Sequence, residues 1–197
     1  MSQGPERDLY VVTGISASGK STVARLLSDR LSPSVLVEGD VLRVMVRNGR
    51  EEMTAQPTAP ALAQLDLRYR HAAMIADSCS REGFHTVVED VIVGRLLETF
   101  LSYLRSRPLR LVILAPDVDV VRRREAGRDK VAYGTRWSPA QLDAVLRTET
   151  PRVGLWLDSG ALTPEQTVDE ILRRRDEALL PDPAPSPDPG PGSGSAA

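Results

Sequence analysis

Gly14-Ile15-Ser16-Ala17-Ser18-Gly19-Lys20-Ser21 decides the fold. Its spacing, G-x-x-x-x-G-K-[ST], is that of a phosphate-binding P-loop. The glycines let the backbone curl so that successive N–H groups point at a phosphate. The lysine reaches the β/γ-phosphates and the serine hydroxyl ligates Mg²⁺. The helix that begins here adds the positive end of its dipole. Leu9-Tyr10-Val11-Val12 precedes the loop as an apolar, β-rich run. Val23, Ala24, Leu26, Leu27 and Leu31 follow it at helical spacing. Strand, loop and helix in that order are the context a P-loop needs. An ordinary glycine-rich turn would leave Lys20 unexplained, because only Lys20 and Lys130 among the 25 Lys+Arg residues are lysine. We expect a nucleotide to contact Gly14, Ser16, Ala17, Ser18, Gly19, Lys20, Ser21 and Thr22.

Working outward, 197 residues suit one domain with a sizeable core. The formal net charge of −2 argues against a nucleic-acid binder held by a basic face. One cysteine, Cys79, excludes an intrachain disulfide, and with His71 and His85 it is too little for a usual zinc site. No apolar leader or run of 18 apolar residues appears, so the expectation is a cytoplasmic protein without a membrane span. From Pro181 onward the chain is Pro/Gly/Ser-rich with nothing to bury. The division expected is a loose 1–7, a domain over 8–180 and a disordered tail over 181–197.

Between these ends, apolar segments alternate with helical ones. Strands are expected at 9–12, 35–38, 86–89, 109–115 and 153–157, with Val35–Glu38 buried. A short helix is expected over 41–48 and a long one over 61–82. The stripe of the long helix is Leu62, Leu65, Tyr69, Ala72, Ala76 and Cys79, which puts Cys79 in the core. Gly83 is a natural stop. Further helices are expected at 96–104 and 117–126. Ser138-Pro139-Ala140-Gln141 and Thr163-Pro164-Glu165-Gln166 are capping boxes that open two more. Five strands alternating with helices imply an α/β fold whose parallel sheet is covered on both faces. Ligands of such sheets lie at the carboxyl ends of the strands. Those ends are the P-loop, Glu38-Gly39-Asp40, Glu89-Asp90, Ala115-Pro116-Asp117 and Asp158-Ser159-Gly160.

The P-loop, Gly39-Asp40 after strand two, the arginines after strand four and Leu157-Asp158-Ser159 with Leu162-Thr163-Pro164-Glu165-Gln166 make a combination. It resembles the small P-loop kinases, in particular the chloramphenicol-phosphotransferase-like, adenylylsulfate-kinase-like and gluconate-kinase-like group, over residues 8–176. The resemblance implies strand order 2-3-1-4-5, ATP with Mg²⁺, and transfer of the γ-phosphoryl to a small-molecule hydroxyl. A hydroxylated antibiotic is one acceptor it suggests.

Val37-Glu38-Gly39-Asp40-Val41-Leu42-Arg43 resembles the family's Gly-Asp-x-x-Arg stretch, which implies Asp40 as the base and Arg43 as a substrate holder. Phosphoryl transfer rests mainly on positioning and charge stabilisation, so a carboxylate at the acceptor hydroxyl suits it. Helix capping is the other reading of Asp40. Glu38 is a second substrate-binding candidate. Asp90 is expected to serve substrate and, with Ser21, the metal, although spacing does not separate it from Glu89. Among the lid arginines, Arg124 and Arg128 share a helix face and are the expected catalytic partners of Lys20 and Asp40. The acceptor pocket is expected from 41–84, where Tyr69 packs rather than binds. The alternatives are a nucleotide-dependent switch acting through partners, or a kinase of a nucleotide-sugar or an RNA end.

Overall fold

The computed structural model describes residues 7–127 and 137–182. Five strands form one parallel sheet: β1 (Leu9–Gly14), β2 (Ser34–Glu38), β3 (His85–Glu89), β4 (Leu109–Leu114) and β5 (Leu155–Leu157). Their order is β2-β3-β1-β4-β5, as the resemblance implies. The helices are α1 (Lys20–Arg30), α2 (Gly39–Val44), α3 (Ala59–Arg81), α4 (Leu96–Tyr103), α5 (Val118–Ala126), α6 (Pro139–Glu149) and α7 (Pro164–Arg173).

The continuous apolar runs of β1 and β4 are explained by burial on both faces. Successive side chains of a strand point to opposite sides. Leu9 and Val11 enter one core with Leu65, Tyr69, Ala72 and Ala76 of α3, Leu97 and Phe100 of α4 and Leu146 of α6. Tyr10 and Val12 enter the other with Val23, Ala24 and Leu27 of α1 and Val168 and Ile171 of α7. Both expected capping boxes are formed, at Ser138 with Gln141 and at Thr163 with Gln166.

Some expectations change, and one contact was not foreseen. β2 lies at the sheet edge and is mostly half-buried, because only β3 pairs with it. α2 starts two residues early and stops at Val44. Cys79 is half-buried and Leu62 is 43 % exposed. The buried stripe of α3 instead closes on Ala76 and Asp77, whose carboxylate accepts the backbone N–H groups of Arg105 and Ser106. Finally, the chain beyond α7 returns to the sheet. Leu111 donates its N–H to Ala178 and Leu180 donates to Leu109, giving an antiparallel bridge between Arg110 and Leu179. The short β5 pairs only with Val112 to Leu114, which leaves the start of β4 open to that segment. Expectations for residues 1–6 and for the tail from 183 onward lie outside the described residues.

Candidate active site

The P-loop joins β1 to α1 at the centre of the sheet. Gly14 has φ +151, and a Cβ there would lie 2.5 Å from the carbonyl oxygen of Leu114. Gly19 caps α1 with φ +99 and contributes no side chain to its open N–H groups, the arrangement that receives a phosphate. Ala17 takes a left-handed φ of 61 within the same loop. Ser18 is fully buried and its hydroxyl has no hydrogen-bond partner. Ser16 is half-buried and Thr22 is exposed.

Lys20 and Ser21 converge on one carboxylate oxygen. The Lys20 ammonium lies 3.4 Å from Glu89 Oε1, and the Ser21 hydroxyl donates to the same atom at 3.1 Å. Register places Glu89 beside Val12 of β1 and Glu38 of β2. Hydroxyl and carboxylate are hard oxygen donors of the kind Mg²⁺ takes. That ion is usually held by one or two carboxylates plus phosphate oxygens and water. No cluster of three or more potential metal-ligating His, Cys, Asp or Glu residues exists among the described residues.

Asp90, the expected metal carboxylate, faces elsewhere. Its Oδ2 lies 2.9 Å from Arg68 Nε, though not aligned as a hydrogen bond, and its Oδ1 accepts the Val91 N–H. Burial pushes its pKa up to about 6, opposed by the Arg68 charge. A Cβ on Gly39 would lie 2.1 Å from Asp90 Oδ2, so glycine is what lets the end of β2 close against the end of β3. Glu89, not Asp90, is therefore the carboxylate beside Ser21.

Asp40 stands exposed in the first turn of α2, and Arg43 Nε lies 3.2 Å from its Oδ1. The α2 N-cap is Glu38, without a side-chain hydrogen bond, so the capping role considered for Asp40 is not seen. The Glu38 carboxylate instead accepts from Arg25 on α1. Arg43 also reaches Glu52 at 2.6 Å. A cavity of about 320 Å³ opens beside this cluster between α2, the loop after it and α3, within the expected 41–84. His71 is exposed at its rim. Tyr69 is in the core, edge-on to Phe100, with its hydroxyl donating to the Val91 carbonyl.

On the other side of the P-loop, Arg124 donates to the backbone carbonyls of Ser18 and Ser159. A second cavity of about 290 Å³ lies there, lined by Gly19, Thr22, Arg124, Ser159, Leu162 and others. The two cavities share no lining residue. Ser159 and Leu162 were not among the expected site residues. The strand-end rule pointed at Ser159, but no side-chain chemistry singled it out. Arg68 was missed as a partner of Asp90, because the contact joins residues 22 apart on different elements. Arg128, Lys130, Tyr133, Gly134 and Arg136 lie outside the described residues.

A profile of the AAA domain family matches residues 9–151. No curated protein matches the chain. Among solved structures, a sugar kinase from Janibacter sp. HTCC2649 is 23 % identical with a TM-score of 0.65, covering 88 % of this chain and 96 % of its own. The Deinococcus radiodurans tunicamycin resistance protein is 17 % identical with a TM-score of 0.61, covering 89 % and 99 %. The Mycobacterium tuberculosis APS kinase, solved with AMPPNP and APS, is 18 % identical with a TM-score of 0.57, covering 86 % and 98 %. At these identities the likeness is one of fold.

Proposed function

We propose, for a chain that belongs to the AAA domain family, that it is an ATP- and Mg²⁺-dependent phosphotransferase acting on a small-molecule hydroxyl. The observation that carries this reading is a cavity beside Asp40 and Arg43 that is separate from the one lined by the P-loop. The P-loop cavity lies on the β4–β5 side with Arg124. The other lies on the β2–β3 side, next to Asp40 and Arg43. The kinases among its structural neighbours support the reading at the level of fold. A hydroxylated antibiotic is among the acceptors it covers, and the fold shared with a tunicamycin resistance protein is what brings it in.

In this reading the P-loop N–H groups and Lys20 hold the β/γ-phosphates, and Arg124 closes over the nucleoside side. Ser21 and Glu89 hold Mg²⁺, directly or through water. The ion supplies charge neutralisation and orientation of the phosphates when bound. Asp40, oriented by Arg43, accepts the proton of the acceptor hydroxyl. The acceptor oxygen forms the new P–O bond while the bond to the β-phosphate oxygen breaks and ADP leaves. Glu38 is the weaker candidate for substrate contact, being held by Arg25. Arg128 remains a proposed second arginine at the phosphates.

Asp40→Ala tests the assignment. Transfer should fall at least 100-fold, the order of a lost general base, while ATP binding stays within about threefold. Transfer that survives within about tenfold would remove Asp40 from the role. Lys20→Ala should lose nucleotide binding and transfer together.

A further inference from the structure

The cavity on the Arg124 side of the P-loop shows by what means a base can be read there. Val23, Leu162 and Pro164 give it apolar walls. Among the described residues its polar side chains are one guanidinium, Arg124, and the hydroxyls of Ser18, Thr22, Ser159 and Thr167. The guanidinium is fixed in place. One terminal nitrogen donates to the Ser18 carbonyl at 2.9 Å and the other to the Ser159 carbonyl at 3.1 Å. Hydrogen bonds of a guanidinium lie in its plane, so its flat faces are left to stack. Stacking accepts any base, because every base has a π-face.

Main-chain groups around the cavity are engaged within the protein. The carbonyls of Ser18 and Ser159 serve Arg124, the Gly160 N–H donates to Asp158 Oδ1, and the Thr163 N–H donates to Gln166. Ser159 is 3 % exposed, and its hydroxyl has no partner among the described residues. A hydroxyl rotates to donate or to accept. It therefore suits the adenine edge, which donates at N6 and accepts at N1. It suits the guanine edge equally, which accepts at O6 and donates at N1. Sharp discrimination needs a polar group that the wrong base leaves unpaired. A hydroxyl beside a stacking surface pairs with either base and so discriminates little.

Resting on the nucleotide half of the reading above, we propose that this site selects its phosphoryl donor by the triphosphate and not by the base, so that GTP serves as well as ATP. Arg124 supplies a stacking face common to both purines. Ser159 supplies a hydroxyl that pairs with either edge.

The experiment titrates the full chain with AMPPNP, GMPPNP and inorganic triphosphate, each with Mg²⁺, by isothermal titration calorimetry. The two analogues should bind within about tenfold of each other, and both at least about tenfold more tightly than inorganic triphosphate. Arg124→Lys keeps the charge and loses the flat face. It should weaken both analogues alike, by about fivefold or more, with inorganic triphosphate within about twofold. Ser159→Ala should weaken both analogues by the same factor, about twofold or more. A preference for either purine above about tenfold overturns the inference. So does a Ser159→Ala effect that is absent or confined to one analogue, or analogues no tighter than inorganic triphosphate. An Arg124→Lys loss shared by inorganic triphosphate overturns it as well, because it places the arginine on the phosphates. Binding of neither analogue overturns the inference together with the nucleotide site. Equal binding of both analogues without phosphoryl transfer to any acceptor supports it and overturns the phosphotransferase reading alone.

Discussion

Glu89 and Asp90 are adjacent in sequence and opposite in environment. Neighbouring residues of a strand point to opposite faces, so Glu89 turns to the α1 side and meets Ser21 and Lys20. Asp90 meets Arg68 from α3. If the metal role belongs to Glu89, Glu89→Gln should raise the Mg²⁺ concentration needed for half-maximal transfer by about tenfold or more, and Asp90→Asn should not. A Mg²⁺ titration of both variants checks this. At the far end of the sheet, burial holds the His85 imidazole below its usual value, with Arg7 and Arg175 lowering it further and Asp8 opposing. Its Nδ1 accepts the Asp8 N–H. The unfolded chain therefore takes up a proton first as pH falls through about 6.5, so His85 stabilises the fold fully above that value and less below it. Urea unfolding at about pH 7.5 and about pH 5.5 should show a drop in stability that is smaller in His85→Gln.

At the scale of elements, the β2–α2 junction sets where Asp40 and the cavity between α2 and α3 lie. Gly39 passes so close to Asp90 that no Cβ fits. Because Asp90 is short, buried and ion-paired, it has little room to give way. Gly39→Ala should cost about 1–3 kcal/mol, read by thermal or urea unfolding, and should weaken transfer more than nucleotide binding because Asp40 follows directly. The end of α3 shows an element written locally in the chain. Gly83 takes φ +84, its N–H bonds to Ser80, and the Phe84 N–H bonds to Cys79. This is a Schellman termination that the glycine alone announced. The stripe of the same helix was legible through Leu65, Tyr69, Ala72 and Ala76, and failed at its ends. Spacing says which residues share a face, but not how far the neighbouring layer extends to cover them. Leu62 and Cys79 lie beyond that cover.

At the scale of the molecule, the segment after α7 ties the opposite edge of the sheet. Arg110 is 4 % exposed. It donates to Asp8 at 2.7 Å and to the Arg175 carbonyl. Ala178 is buried against the core that includes Tyr10 and Val12. Ending the chain after Arg174 removes, among others, three hydrogen bonds to β4, two of them to its backbone, at about 1 kcal/mol each, or on the order of 3 kcal/mol for these three. Urea unfolding should show that loss while ATP binding to the folded fraction stays unchanged, because the segment lies away from the P-loop end of the strands. No helix among the described residues is long and apolar enough to cross a membrane. What the sequence by itself determined is whatever local chemistry dictates. The P-loop follows from glycines and a lysine at set spacing, the helix ends from capping boxes and Gly83, and the alternation of strand and helix from hydrophobic period. Strand order came with the family resemblance that those motifs carry. Only the tertiary structure decided which of Glu89 and Asp90 meets Ser21, that Arg68 faces Asp90 and Glu52 faces Arg43, and that residues 175–180 return to β4. These are contacts between residues far apart in the chain, and no local pattern encodes which side chain another element will bring to them.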